Sequence, residues 1–275
     1  NHLEGHIVSA LAHPKSKNPA SPARLAESAK RAGGKKQKTK NAGVVFPALG
    51  LVVSGGHTEL IAIEKIGNYK ILARTMDDAL GEALDKAARM LGLGYPGGAV
   101  LEKLAREGNP SAYKLTLPLL GRENQGHFSY SGLKTAFYRL TNEKNFTKKE
   151  ICDLAASFQN IAFEHLIRII KKSILSLSCG AGSRSARRET FLGGNLEIAD
   201  FLVGGGVAAN TELRKRLRKF GRESGFKVHF PYSKKLCTDN AAMIGLAAGF
   251  AADRGEIVRT PEDISAIDRQ PDLDF

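Results

Sequence analysis

The chain has 275 residues, of which 42% are hydrophobic and 25% are charged, so wholesale disorder is excluded and a sizeable core is expected. It carries 41 basic and 28 acidic residues, which gives a formal net charge of 41 − 28 = +13. Such an excess favours a polyanionic partner, RNA or DNA first. No apolar run reaches the ~18 residues of a membrane-spanning helix. Three cysteines without a C-x-x-C pair exclude a secreted disulfide scaffold and predict a cytoplasmic, reducing location.

The first segment, Asn1 to Ala12, has the spacing of an amphipathic helix, with Leu3 and Ile7 in its apolar stripe. The next segment, Lys15 to Lys40, contains nine lysine or arginine residues and a single acid, Glu27. This composition predicts no ordered element. Two compatible interpretations remain open for it: a solvated flexible loop and an arm that contacts RNA.

Order is predicted again from Val44 onward. Three apolar runs in hairpin spacing, Leu49–Val53, Glu59–Glu64 and Tyr69–Arg74, predict an antiparallel meander. A helix is expected from about Asp77 to Leu91, because two acids at its start suit a helix N-terminus. Three antiparallel strands followed by a helix are typical of the opening of a ribonuclease-H-like unit.

The second half of the chain alternates helices, loops and one strand. Thr147 and Glu150 form a capping-box pattern that begins a long amphipathic helix. The remaining predicted elements are a basic, glycine-rich insertion (Cys179–Gly194), a strand (Phe201–Val203), a glycine loop (Gly204–Gly206), a helix (Thr211–Phe220) and a last helix from near Asp239.

Two histidines, His2 and His6, lie four residues apart and therefore share one face of a helix, which is a common arrangement for binding a metal. Zinc peptidases with the H-E-x-x-H motif use the same spacing, but their glutamate directly follows the first histidine. Here Leu3 holds that position, and Glu4 points about 200° around the helix. The sequence therefore disfavours a metallopeptidase. Two surface histidines without a metal remain the simpler alternative.

A third candidate ligand is Asp239. Taken alone, an aspartate here is more often an N-cap for the following apolar helix, and the two roles are compatible because a carboxylate has two oxygens. Two imidazoles and one carboxylate, with positions left open for substrate, suit zinc or iron(II).

Two glycine-rich segments are candidates for binding a nucleotide. Ser54–His57 follows an apolar strand, and consecutive backbone N–H groups without side-chain cover can hold phosphate or carboxylate oxygens, although hairpins use the same residues without a ligand. Gly204–Asn210 joins a strand to a helix and leaves room for a flat ring beside the helix N-terminus; a tight connection is the alternative. The basic residues of the helix that follows have two interpretations: a face that binds successive phosphates of a nucleic acid, or a solvated helix surface. These residues are Arg214, Lys215, Arg216, Arg218, Lys219 and Arg222.

The motifs together resemble those of the universal tRNA adenosine threonylcarbamoyltransferases, the TsaD-type proteins once described as glycoprotein endopeptidases. Seven motifs carry the resemblance in chain order over nearly the whole sequence. They are His2–His6, Leu51–Thr58, Asp77–Lys86, Leu91–Gly98, Phe128–Thr135, Gly204–Asn210 and Cys237–Asn240.

This resemblance implies an α/β, two-lobed, actin-like ATPase (ASKHA) fold of the ribonuclease-H-like kind. It implies transfer of a threonylcarbamoyl group from threonylcarbamoyl-AMP to the N6 amine of the adenosine 3′ of the anticodon, in tRNAs that read codons beginning with A. His2, His6 and Asp239 would bind one divalent metal ion, iron(II) first and zinc second. The residues that would hold the adenylate are Val52, Val53, Ser54, Gly55, Gly56, Asp85, Gly98 and Asn210. The implied partners are tRNA, an adenylate-forming synthase and, in bacteria, a degenerate paralogue and a small ATPase, with no membrane.

Family members carry a further stretch of roughly a hundred residues before the H-x-x-x-H helix. We therefore expect residues 1–48 to be a remnant of lobe I, 49–238 to form lobe II and 239–275 to return to lobe I. In a chain without that stretch, the apolar stripe of the first helix is expected to be exposed and activity to be lost. The alternatives are a small-molecule kinase or ATPase of the same fold and a non-catalytic RNA-binding subunit.

Overall fold

The structure is a computed structural model, and it describes residues 1–12, 43–122, 126–178 and 198–256. The basic tract Lys15–Lys40, the insertion Cys179–Gly194 and the segment 257–275 lie outside the described residues.

The described residues contain one six-stranded sheet in the order β4-β3-β2-β1-β5-β6. Strands β1 to β3 form an antiparallel meander, and β5 runs parallel to β1 and to β6. A meander that continues into parallel strands is the ribonuclease-H-like arrangement predicted from the sequence. The strand bounds are Ala48–Val53 (β1), Thr58–Lys65 (β2), Asn68–Thr75 (β3), His127–Phe128 (β4), Asp200–Gly204 (β5) and Lys227–His229 (β6).

Seven α-helices are described, together with three 3-10 turns. The helices are His2–Val8 (α1), Leu80–Met90 (α2), Gly98–Ala105 (α3), Ser131–Thr141 (α4), Lys148–Ser178 (α5), Thr211–Ser224 (α6) and Ala241–Asp253 (α7). The 3-10 turns are Ser9–Leu11, Gly206–Ala209 and Lys234–Leu236. Within the described parts of the chain, no helix has both the length and the apolar character needed to cross a membrane.

Both faces of the sheet are covered, because alternate residues of β1 point to opposite sides. Leu49, Leu51 and Val53 lie in the larger core, to which helices α2 to α6 contribute. Ala48 and Val52 lie in a second core on the opposite face. Every residue of β1 is therefore buried, as expected for an inner strand of a sheet that is covered on both faces.

Helix α1 covers the second face of the sheet, which contradicts the prediction that its apolar stripe is exposed. Leu3 is 3% exposed and Ile7 is fully buried, and both pack against Val52 and Leu202 of the sheet. Val8 packs on the opposite side of α1, against α7. The prediction was wrong because it assumed that only a separate sheet could cover this helix.

The start of α2 also differs from the prediction. The helix begins at Leu80, so Asp77 and Asp78 precede it and do not stabilise its first turn. The Asp77 carboxylate accepts hydrogen bonds from the hydroxyls of Ser129 and Ser131. Asp77 therefore joins the end of β3 to the start of α4, and Asp78 joins α2 to α4 by accepting from Lys86 and Lys134. Local helix signals cannot reveal such long-range roles.

The start of α5 agrees with the prediction. The Thr147 backbone N–H donates to the Glu150 carboxylate at 2.8 Å, and the Glu150 N–H donates back to the Thr147 hydroxyl at 3.3 Å. This reciprocal pair is the predicted capping box. The helix that follows runs for 31 residues and places Leu154, Phe158 and Leu166 in the larger core.

Candidate metal centre and adjoining glycine loops

The two glycine-rich loops lie side by side at one edge of the sheet. Strands β1 and β5 are parallel neighbours with Val52 opposite Gly204, so the turn after β1 and the loop after β5 leave the sheet at the same end. In open α/β sheets this end of the strands is where ligands bind.

Helix α1 brings its histidines to the same end because Gly204 allows a close approach. A Cβ atom at this position would lie 2.1 Å from the backbone oxygen of His6. Only glycine leaves space for the helix backbone there. The position of the first candidate ligand pair therefore depends on a residue of the sheet.

His2, His6 and Asp239 form one cluster, as predicted. The Asp239 Oδ1 atom lies 3.5 Å from His2 Nε2 and 3.1 Å from His6 Nε2. The imidazole rings meet edge to face with centroids 4.8 Å apart, and one potential ligand atom from each of the three residues lies within 4.8 Å of the others. Convergence of residues more than 230 positions apart disfavours the alternative of two unrelated surface histidines.

The burial of His6 fits a metal ligand. Its side chain is buried, its Nδ1 has no hydrogen-bond partner among the described residues, and its Nε2 faces the Asp239 carboxylate. Burial and, next, the positive charge of a protonated His2 lower the pKa of His6, with a smaller contribution from His57; together they outweigh the opposing effect of Asp239. A lowered pKa keeps the imidazole neutral at pH 7, which is the form that binds a metal. The sequence analysis did not assign His57 to the metal centre, although its charge contributes to the lowered pKa of His6.

Glu4 points away from the cluster. Its Oε1 accepts hydrogen bonds from the Tyr69 hydroxyl at 2.8 Å and from Arg254 Nη1 at 3.1 Å. The carboxylate therefore joins α1 to β3 and to the end of α7. This agrees with the conclusion that the general base of a zinc peptidase is absent here.

Asn240, not Asp239, caps helix α7. The Asn240 Oδ1 atom accepts a hydrogen bond from the backbone N–H of Met243 at 3.0 Å. The alternative role considered for Asp239 is therefore wrong by one residue. The Asp239 side chain is 75% exposed and faces the two histidines.

The turn after β1 is open around its two glycines. Ser54 and His57 close the turn, with the Ser54 N–H donating to the His57 carbonyl at 2.8 Å. A Cβ at Gly55 or Gly56 would meet no described atom within 4 Å. Packing of the described chain therefore does not require glycine at either position, whereas close approach of a ligand to their N–H groups would.

Asp85 and Gly98 are in direct contact. The Asp85 Oδ1 accepts hydrogen bonds from the N–H groups of Gly97 at 2.9 Å and Gly98 at 2.7 Å. A cavity of about 230 Å³ lies beside them. It is lined by Glu82, Asp85, Lys86, Arg89 and Tyr95.

Asn210 is buried and its side chain is largely engaged. It caps α6 by accepting from the N–H groups of Glu212 and Leu213, and its amide donates to Gln159 at 2.9 Å. The preceding Gly205 has φ +93°, and a Cβ there would lie 2.3 Å from the Val53 carbonyl oxygen. Gly205 is therefore required by the fold. This agrees with the alternative of a tight connection between β5 and α6 at this residue.

Arg214 has a structural role that the sequence did not reveal. Its Nε donates to the Ala208 carbonyl at 2.6 Å, and its guanidinium also contacts the Cys237 thiol at 3.2 Å. It thus ties the loop after β5 to the segment that carries Asp239. Arg216 is likewise engaged, with Glu212 and Asn160, so neither is an exposed member of the predicted basic face.

These features define the class of protein: a ribonuclease-H-like unit of the actin-like ATPase class, with a histidine–carboxylate cluster at the carboxyl ends of its central strands β1 and β5. Residues 31–246 match the family model described as TsaD, tRNA N6-adenosine threonylcarbamoyltransferase. The chain belongs to this family.

Curated relatives with the name tRNA N6-adenosine threonylcarbamoyltransferase agree with the family match. The protein of Syntrophotalea carbinolica is 45% identical over 206 residues, 74% of this chain and 54% of the relative. That of Moorella thermoacetica is 45% identical over 233 residues, 84% of this chain and 60% of the relative. That of Rippkaea orientalis is 46% identical over 216 residues, 76% and 56% respectively. The chain thus spans little more than half the length of these relatives.

Proposed function

We propose that this chain takes part in the transfer of a threonylcarbamoyl group from threonylcarbamoyl-AMP to the N6 amine of the adenosine 3′ of the anticodon in tRNAs that read codons beginning with A. The observation that carries the proposal is the convergence of His2, His6 and Asp239 at the end of the sheet where the glycine loops after β1 and β5 begin. The relatives' names supply the reaction.

The three side chains are proposed to hold one divalent cation, iron(II) first and zinc second. A buried imidazole whose Nε2 lies 3.1 Å from an exposed carboxylate oxygen, with a second imidazole beside it, fits such a ligand set. When bound, the ion supplies a Lewis acid that polarises the carbamoyl carbonyl. Glu4 supports this arrangement because it fixes α1 through Tyr69 and Arg254.

The adenylate is proposed to lie along the same edge. It would lie against Val52 to Gly56, where the uncovered backbone of Gly55 and Gly56 leaves room for its phosphate or carboxylate oxygens. Asp85 orders the chain at Gly98 beside the cavity, and Asn210 orders the loop after β5 by capping α6. In this proposal the last two act mainly by holding backbone in position.

The proposed partners are tRNA, the synthase that makes the adenylate and, in bacteria, a degenerate paralogue and a small ATPase. A cytoplasmic location belongs to the same proposal, since tRNA is the substrate. The net charge of +13 supports a polyanionic substrate.

The decisive experiment supplies threonylcarbamoyl-AMP and unmodified tRNA to the metal-loaded protein, together with its partner proteins, and measures AMP release and modified nucleoside. Asp239→Asn is expected to abolish both products. Asp253→Asn is the matched control, because it removes the same charge from the far end of α7 and is expected to retain both.

Two other results would replace the proposal. Phosphorylation of a small hydroxyl compound by ATP, without modified nucleoside, would identify a kinase of the same fold. Binding of tRNA without either product would identify a non-catalytic RNA-binding subunit.

A further inference from the structure

All charged residues on one side of helix α6 are basic. At 100° per residue, and taking the buried Leu213 as 0°, Arg218 lies at about 140° and Arg222 at about 180°. The acids Glu212 and Glu223 lie at about 260° and 280° on the same scale. One side of the helix is therefore basic without an interspersed acid.

Contacts with Phe230 show where the basic side faces. The guanidinium carbon of Arg214 lies 4.8 Å from the centroid of the Phe230 ring, and that of Arg218 lies 5.2 Å from it. Arg214 also contacts the Cys237 thiol. The basic side of α6 is thus joined to the segment 226–238, which leads directly to Asp239.

The joined surface carries further cations and no acid. The segment 226–238 contains Lys234 and Lys235, both exposed, and no aspartate or glutamate. Tyr232 lies between them and Phe230 in the chain and is 56% exposed. We define the basic track as the exposed residues Lys215, Arg218, Arg222, Tyr232, Lys234 and Lys235.

We propose that the basic track binds the phosphate backbone of the RNA strand whose target base reaches the metal centre. This rests on the proposed function, because it names the surface by which that substrate is held. The track contains no acid, and only Lys215 has an acidic neighbour, Glu212, at 3.9 Å. Such a row of cations suits consecutive phosphates, and an exposed tyrosine within it offers a base a stacking surface. The track ends at Asp239, so a strand bound along it leads to the cluster.

The test compares two triple variants with equal charge change. Arg218→Gln, Arg222→Gln and Lys235→Gln remove three cations from the track. Lys103→Gln, Arg139→Gln and Lys172→Gln remove three exposed cations from α3, α4 and α5. Binding of unmodified tRNA is measured by fluorescence anisotropy between 50 and 300 mM KCl, and folding by thermal unfolding.

Loss of three phosphate contacts is expected to lower the slope of log K against log salt by about 2, at roughly 0.7 per contact on a single strand. The control triple is expected to change the slope by less than half as much. Tyr232→Ala, which removes an exposed side chain, is expected to weaken tRNA binding about tenfold while adenylate binding and metal content stay at wild-type values.

Equal slopes for the two triple variants would show that the basic track is not the RNA site. Because the readout is tRNA binding, absence of transfer by the wild-type protein would overturn the proposed function without deciding this test.

Discussion

Gly204→Ala should displace the helix that carries both histidine ligands. The new Cβ would lie 2.1 Å from the His6 carbonyl oxygen, whereas such contacts are essentially never shorter than 3.0 Å. The backbone must therefore separate by at least 3.0 − 2.1 = 0.9 Å. Metal–ligand distances tolerate only about 0.2 Å, so the three ligands can no longer meet one ion. Overpacking of this kind costs about 1–3 kcal/mol, which corresponds to roughly a 5- to 150-fold weaker metal complex if it falls on binding.

The assay is competition for iron(II) or zinc against a chromogenic chelator, with thermal unfolding measured on the same samples. Gly206→Ala is the matched control on the same loop, because its Cβ would lie 3.9 Å from the nearest atom, the Thr238 methyl carbon. It should bind metal like the wild-type protein. Wild-type affinity and unfolding temperature for Gly204→Ala would refute the argument that this glycine positions α1.

The two neighbouring residues before α7 should have different roles. The Asp239→Asn variant is expected to lose its metal, measured by elemental analysis, while its stability stays unchanged. Asn240→Ala should instead keep the metal and lower the free energy of unfolding by about 1 kcal/mol, since it removes a helix cap. Metal retained by Asp239→Asn would remove this residue from the site. Glu4→Gln should lower the free energy of unfolding in urea by about 1.5–3 kcal/mol, the range for hydrogen bonds to charged groups. Additive effects of Glu4→Gln and Arg254→Gln in a double-mutant cycle would contradict a direct interaction.

The parts of the fold that were predictable are those encoded by local pattern. The three strands of the meander, the glycine turn at Ser54–His57 and the capping box at Thr147 were each predicted from a few neighbouring residues and are present in the structure. The ligand cluster was predictable for a different reason. The i, i+4 histidines are a local signal, but their pairing with Asp239 came from the resemblance to a family.

The errors concern side chains whose partners are distant in the chain. Asp77 and Asp78 look like helix-start acids, yet they bind residues more than fifty positions away. Leu3 and Ile7 were expected to lack a partner, yet they lie in one core with Val52 and Leu202 of the sheet. The basic tract Lys15–Lys40 separates these residues from α1 in the chain, so no local pattern links them. Such contacts depend on how elements pack, and one sequence does not record that packing.

The orientation of Glu4 also accounts for why a peptidase-like motif does not make a peptidase. A hydrolytic zinc site needs a carboxylate that can take a proton from water beside the metal. Glu4 is 4% exposed and is bound to Tyr69 and Arg254 on the other side of α1, so it cannot reach that water without breaking the contacts that hold the helix. The cluster instead lies at the end of the sheet where the loops after β1 and β5 begin, and the uncovered backbone of Gly55 and Gly56 there leaves room for the proposed anionic, nucleotide-bearing substrate. The same helix thus serves two separate requirements, with its histidines on the substrate side and its glutamate on the side that fixes its position.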